Sequence, residues 1–369
     1  MAIIGGGVAG LGMARALELK GISCSLVDRL DEPPAGGLAI NLPGNAVRAL
    51  DQLGVLGEVR ERGRPVRERV YRNASGKLLF RVDEDGFWGS FAPLCLRRSD
   101  LLEILRRASR DVQARWGDGV SEVRPTRAGV ELTMSAGGRE TYDLVVGADG
   151  VNSVAREAIA DAETRASPMS AASWRFMGPN PGVDCWSIWT GARGTALMIP
   201  VDEQEVYVYA SATRGGSVED PGWMSDAFAD FAEPVPAVIV EALASPSSPY
   251  YSPIQEVRCE HWSNGRLVLI GDAAHAMGPI WAQGAALALE DALVLAELMD
   301  TRGWDTVGAD FQQRRGGRVG HVQRATDKTA RLAGMPGFLR DRIMPLAGPK
   351  SYRATYGPLR DSALQGDSA

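Results

Sequence analysis

Hydrophobic positions in this chain follow two different patterns. Near the start, Ala2-Ile3-Ile4 is a short unbroken apolar run that enters Gly5-Gly6-Gly7-Val8-Ala9-Gly10, and Leu11 to Leu19 then shows helical spacing. Ser23 to Val27 reads as a second strand, closed by Asp28. Unbroken runs recur at Asp143 to Val146 and Arg266 to Ile270, as expected of strands covered on both faces. Each leads straight into a turn, Gly147-Ala148-Asp149-Gly150 in one case and Gly271-Asp272-Ala273-Ala274-His275 in the other. From about Ala285 to Met299 apolar residues cover most of the helical circumference, which predicts a central, buried helix.

Between these runs, residues 166–261 change character. Ala172 to Phe176, Cys185 to Trp189, Ala196 to Pro200 and Glu205 to Tyr209 are short and rich in Trp, Tyr, Val and Ile, so they read as strands of a mixed or antiparallel sheet. Trp223 to Leu243 looks helical with a proline interruption, and Ser245-Pro246-Ser247-Ser248-Pro249 reads as a loop. The expected fold class is α/β: a Rossmann-like domain from residues 1–165 and 262–335, a smaller mixed-sheet domain from 166–261, and a helical tail over 336–369.

The opening strand, glycine turn, helix and strand have the order of a dinucleotide-binding unit. Gly5 permits the tight turn, Gly7 lets backbone approach a pyrophosphate, and Gly10 lets helix and strand pack closely. Unpaired N–H groups at the helix start favour phosphate charge, and Asp28 stands near the spacing at which a carboxylate meets a ribose hydroxyl.

Composition narrows the partners. A net charge of −6 gives no basic field for a nucleic-acid backbone. Cys24, Cys95, Cys185 and Cys259 are scattered without a CxxC pair, and no charged leader precedes the first strand, so a reducing cytoplasm is expected. No apolar run reaches the roughly 18 residues of a membrane span. His261, His275 and His321 are too dispersed to predict a metal site. Arg314, Arg315, Arg318 and Arg324 fit a solvated helix face or ion pairs between domains.

Three segments in this order, GGGVAG, GADGVNSVAR and GRLVLIGDAAHAMGP, resemble the class A flavoprotein monooxygenases, which include para-hydroxybenzoate, salicylate and urate hydroxylases. Arg98-Ser99-Asp100-Leu101 and the Trp262, Gly265-Arg266 lead-in are similar to smaller features of that family. The resemblance covers about residues 1–335 and implies FAD, with NADPH or NADH as transient reductant and O2 as co-substrate. It implies cofactor contacts at Gly5, Gly7, Ala9, Gly10, Asp28, Arg29, Arg98, Val120, Asp149, Gly271 and Asp272, with Pro279, Gln283, Gly284 and Ala285 beside the isoalloxazine. Arg156, with Asp149, is implied as a contact for the nicotinamide cofactor. Where the family usually has glycine before Gln-Gly, this chain has Ala282, preceded by Trp281, so the turn beside the flavin is expected to differ in shape.

The activity so implied reduces FAD, adds O2 at flavin C4a to form a hydroperoxide, and hydroxylates or epoxidises a small aromatic or unsaturated compound. The cofactor carries this chemistry, so no catalytic triad is expected; the protein must exclude water and place the substrate. Candidate pocket residues on the predicted strands are Arg175, Trp186, Trp189, Met198, Tyr207 and Tyr209, each equally readable as core. Arg175 is either an anchor for an acidic substrate or part of a structural ion pair. A second reading of the same motifs is an FAD-binding cyclase or scaffold without redox chemistry. A flavin halogenase is disfavoured because Cys185 to Trp189 lacks the Trp-x-Trp-x-Ile-Pro pattern.

Overall fold

The computed structural model describes residues 1–32, 38–159, 166–170, 173–212, 222–244, 250–251, 254–333 and 335–364. The loop expected at 245–249 lies outside them. Its base is a six-stranded sheet in the order Ser263–Asn264, Leu267–Leu269, Val145–Gly147, Ala2–Ile4, Ser25–Asp28, Gln113–Trp116. The last five strands run parallel, with Ala2 flanked by Val145 and Ser25, and Val145 by Leu267. Parallel strands are covered on both faces, which is why these segments read as unbroken apolar runs. Two helices pack here at close range, Val8–Leu19 and Gly284–Thr301. A Cβ on Gly12 would stand 3.0 Å from Leu289, and one on Gly10 would collide with the Gly5 carbonyl oxygen at 1.8 Å.

Above the base stands a seven-stranded sheet in the order Tyr250–Tyr251, Ser173–Pro179, Glu205–Ala212, Gly194–Pro200, Trp186–Thr190, Glu68–Asn73, Leu78–Asp83. The boundary expected at 166–261 is too narrow for this sheet. Glu68–Asn73 pairs in parallel with Trp186–Thr190, so a hairpin from inside the first region completes the roof.

The two faces of the roof do different work. Trp174, Trp189, Met198, Val206, Val208 and Ala210 face helices Gly222–Phe228 and Val235–Ala244, forming a second core. The opposite face carries a continuous row across the strands: Tyr71, Ile188, Leu197, Tyr209, Arg175 and Tyr250. The C-terminal helix Gly337–Tyr356 lies across the hairpin, burying Tyr352 and Tyr356 and bringing Gly348 against Phe80. No helix among the described residues is long and apolar enough to cross a membrane.

Candidate active site

Between base and roof lies a cavity of about 1360 Å³. That exceeds the roughly 300–1,000 Å³ of a pocket for one drug-sized ligand, so there is room for a long cofactor and a second small molecule. Both base helices begin at this cavity, with Gly7 and Ala9 of the first and Gly284 and Ala285 of the second in its wall. Their free N–H groups give the two ends a partial positive charge. Gly5 holds φ at 105°, and a Cβ on Gly7 would meet nothing within 4 Å, so the turn is an open cradle.

Asp28 accepts the Gly6 N–H at 2.5 Å and the Leu30 N–H at 2.8 Å, fixing its carboxylate beside the glycine turn. Arg98, at the start of its own helix, and Asp272 line the cavity. Asp272 faces this interior space rather than bulk solvent; burial among protein atoms pushes its carboxyl up, opposed by His275 and Arg98. Asn41 is buried in the same wall, and neither its amide nitrogen nor its oxygen has a hydrogen-bond partner. A helix-start cradle, an arginine, a carboxylate and an orphaned amide fit an extended dinucleotide that offers phosphates, hydroxyls and ring heteroatoms.

Other expected contacts lie outside the cavity lining. Gly271 holds φ at 59° and donates to Asp291 at 3.0 Å, with Ala9 and Ala288 pressed against it. Gln283 is buried in a reciprocal pair with Asn45 (2.9 and 3.1 Å), so its side chain secures the helix start instead of pointing into the cavity. Burial pushes the Asp291 carboxyl up, but His275 and Arg315 more than offset it and hold the group at about 2. Arg315 and Arg318 also pair with Glu290, so the expected arginine face is partly an ion-pair network. Arg29 is exposed, and Val120 is half-buried at a strand start away from the cavity wall.

Three expectations need correction. Arg156 is buried, absent from the cavity lining, and donates to the carbonyls of Ala273 (3.1 Å) and Val151 (2.7 Å), clamping the second motif to the third. Asp149 likewise spends its carboxylate on Ser153, Val154 and Ala155. Trp189 and Met198 fall on the helix-facing side of the roof; strand alternation sends their neighbours Ile188, Leu197 and Ile199 to the cavity in their place. Trp186, Arg175, Tyr207 and Tyr209 do line it. Burial raises both tyrosine hydroxyls, and Arg175 opposes the shift.

Sequence reasoning missed Asn41 and the roof-edge cluster. In that cluster Arg69 and Glu84 form a fully buried ion pair, with the guanidinium 4.9 Å from the Trp186 ring centre. The alternation of Arg69 and Tyr71 was the available signal; Glu84 offered none. Ala282 is the one non-glycine with positive φ among the described residues, at 52°. A left-handed alanine costs about 1 kcal/mol, so the turn that departs from the family pattern is also a strained one.

A parallel-sheet dinucleotide base closed by a roof with an aromatic and apolar lining defines a flavoprotein of the two-domain hydroxylase architecture. A family described as "FAD binding domain" matches residues 1–301. The chain belongs to the class A FAD-dependent monooxygenases, and is therefore an oxidoreductase. It is 31% identical over 342 residues to the 2-heptyl-3-hydroxy-4(1H)-quinolone synthase of Pseudomonas aeruginosa, covering 89% of this chain and 88% of that one. It is 28% identical over 376 residues to the 3-amino-4-hydroxybenzoate 2-monooxygenase PtmB3 of Streptomyces platensis, covering 94% and 92%. Klebsiella pneumoniae HpxO, solved with FAD and uric acid, shares the fold with a TM-score of 0.85 at 24% identity, over 100% of this chain and 97% of that one. PtmB3 is named a monooxygenase, and membership of the monooxygenase family speaks against the non-redox reading.

Proposed function

We propose that this enzyme uses NADPH or NADH and O2 to hydroxylate a small aromatic or heteroaromatic ring, one with the electron-rich character of a hydroxyquinolone or an aminohydroxybenzoate. FAD, when bound, supplies the redox chemistry, accepting hydride and delivering one oxygen atom to the ring. The observation that carries this reading is continuity: one cavity runs from the Gly7 cradle past Arg98 and Asp272 to the row of Ile188, Leu197, Tyr209 and Arg175.

The residues divide the work along that length. Gly5, Gly7, Ala9 and Gly10 hold the pyrophosphate, Asp28 the adenosine ribose, and Arg98, Asn41 and Asp272 the polar middle of the cofactor. The helix start at Gly284 and Ala285 places partial positive charge where the reduced ring gathers electron density, which favours reduction. Pro279, Trp281 and the C-terminal helix exclude water from that end, and the roof row orients the substrate.

The test loads the full chain with FAD and follows NADPH and NADH oxidation with O2 uptake across 4(1H)-quinolones and aminohydroxybenzoates. The expected result is a yellow protein whose NAD(P)H consumption rises at least severalfold with one ring class and yields a product one oxygen heavier. A folded chain that takes up no FAD, or whose turnover needs no O2, refutes the proposal.

A further inference from the structure

We infer that Tyr356, on the C-terminal helix and beyond the residues matched to the FAD-binding family, is a positioning residue for the strained turn at the ring end of the cavity; this rests on the reading of that cavity as the FAD site. Its hydroxyl is buried and donates to the Trp281 carbonyl at 2.7 Å, and the Trp281 ring stands edge-on to Tyr356 with centres 5.5 Å apart. The next residue is the left-handed Ala282, and Trp281, Ala282 and Gly284 all line the cavity.

The hydroxyl is itself anchored. Arg69 donates to it at 3.3 Å, and Arg69 is held in turn by its ion pair with Glu84. Glu84 also accepts from Tyr352, which takes the Trp88 indole N–H at 3.0 Å. A chain of buried polar contacts therefore runs from the roof hairpin through the C-terminal helix to the one backbone carbonyl next to the strained alanine. Alanine does not choose this conformation by itself, whereas glycine does without penalty. The clamp supplies from outside the turn what the missing glycine would supply from within, and so fixes the wall that faces the flavin ring.

The experiment titrates FAD into the apo form of the full chain, following flavin fluorescence, and records visible circular dichroism of the bound flavin. In Tyr356→Phe the FAD dissociation constant rises about fivefold and the dichroism changes, the scale of one lost hydrogen bond. Adding Ala282→Gly to that variant returns both readouts to within about twofold of the parent, a reversal that general destabilisation would not give. Parent-like binding and dichroism in Tyr356→Phe overturn the inference, as does a weakened Tyr356→Phe that Ala282→Gly leaves uncorrected. Should Tyr356→Phe fail to fold, Arg69→Lys breaks the same chain one contact earlier and carries the same expectation, including the reversal. If the parent chain binds no FAD, the proposed function falls with the inference; if the parent binds FAD and the variants match it, the inference falls alone.

Discussion

The base and the roof of this enzyme are built on different economies of contact. In the base, backbone does the work: a glycine turn, two helix starts and a parallel sheet define the cradle, and small residues are required because chains approach almost to contact. In the roof, side chains do the work, and each strand shows one face to a helical core and the other to the cavity. The lesson is that the cradle is written in backbone geometry, whereas the roof's half of the cavity is written in side chains.

Three measurements press on that contrast. The largest effect is expected from Trp189→Ala, which empties a buried position between roof and helices and should destabilise the protein by about 3–5 kcal/mol. FAD affinity in the molecules that stay folded should change less than about threefold, measured by chemical denaturation beside FAD titration; a parallel loss of FAD would show that the two regions are not separable. Gly10→Ala should do the reverse. Its Cβ meets a backbone oxygen that has no rotamer to escape into, so about 3 kcal/mol of strain is expected together with loss of FAD binding.

The smallest is a pH effect within the base. Asp291 is held at about 2 in the folded protein, below its unfolded value near 3.9. A depressed carboxyl contributes stability that is present above the unfolded value and lost as pH falls through the folded one. Stability of the order of a few kcal/mol should therefore disappear between roughly pH 4 and pH 2. Urea midpoints across that window should fall steeply in the parent and less steeply in Asp291→Asn; equal slopes would assign the acid sensitivity to other groups.

The same contrast explains what was legible in the sequence. The base announced itself through unbroken apolar runs and glycines at fixed offsets, because both features follow from local geometry. Cavity-facing Trp186, Tyr207 and Tyr209 were identified, but Trp189 and Met198 were placed with them: each is apolar, and only the phase of the alternation separates pocket from core. Asp149 and Arg156 sit in a recognised motif, yet their side chains brace neighbouring backbone, a task that motif spacing does not distinguish from ligand contact. Arg69 and Glu84 stand at the two ends of one hairpin and Tyr356 lies far along the chain, so their meeting is decided by the roof hairpin and the last helix. Strand alternation could have placed Arg69 on the cavity face, but nothing local to Glu84 or Tyr356 signals the contact.

That hairpin has a consequence for how such enzymes are rebuilt. Because Glu68–Asn73 is hydrogen-bonded to Trp186–Thr190, the cavity's ceiling is woven from two stretches of chain with part of the parallel-sheet base between them. Transplanting 166–261 alone onto another flavin platform would leave the Trp186–Thr190 strand with a bare edge, open to pairing with foreign chains. A working chimera has to carry residues 68–83 along with it.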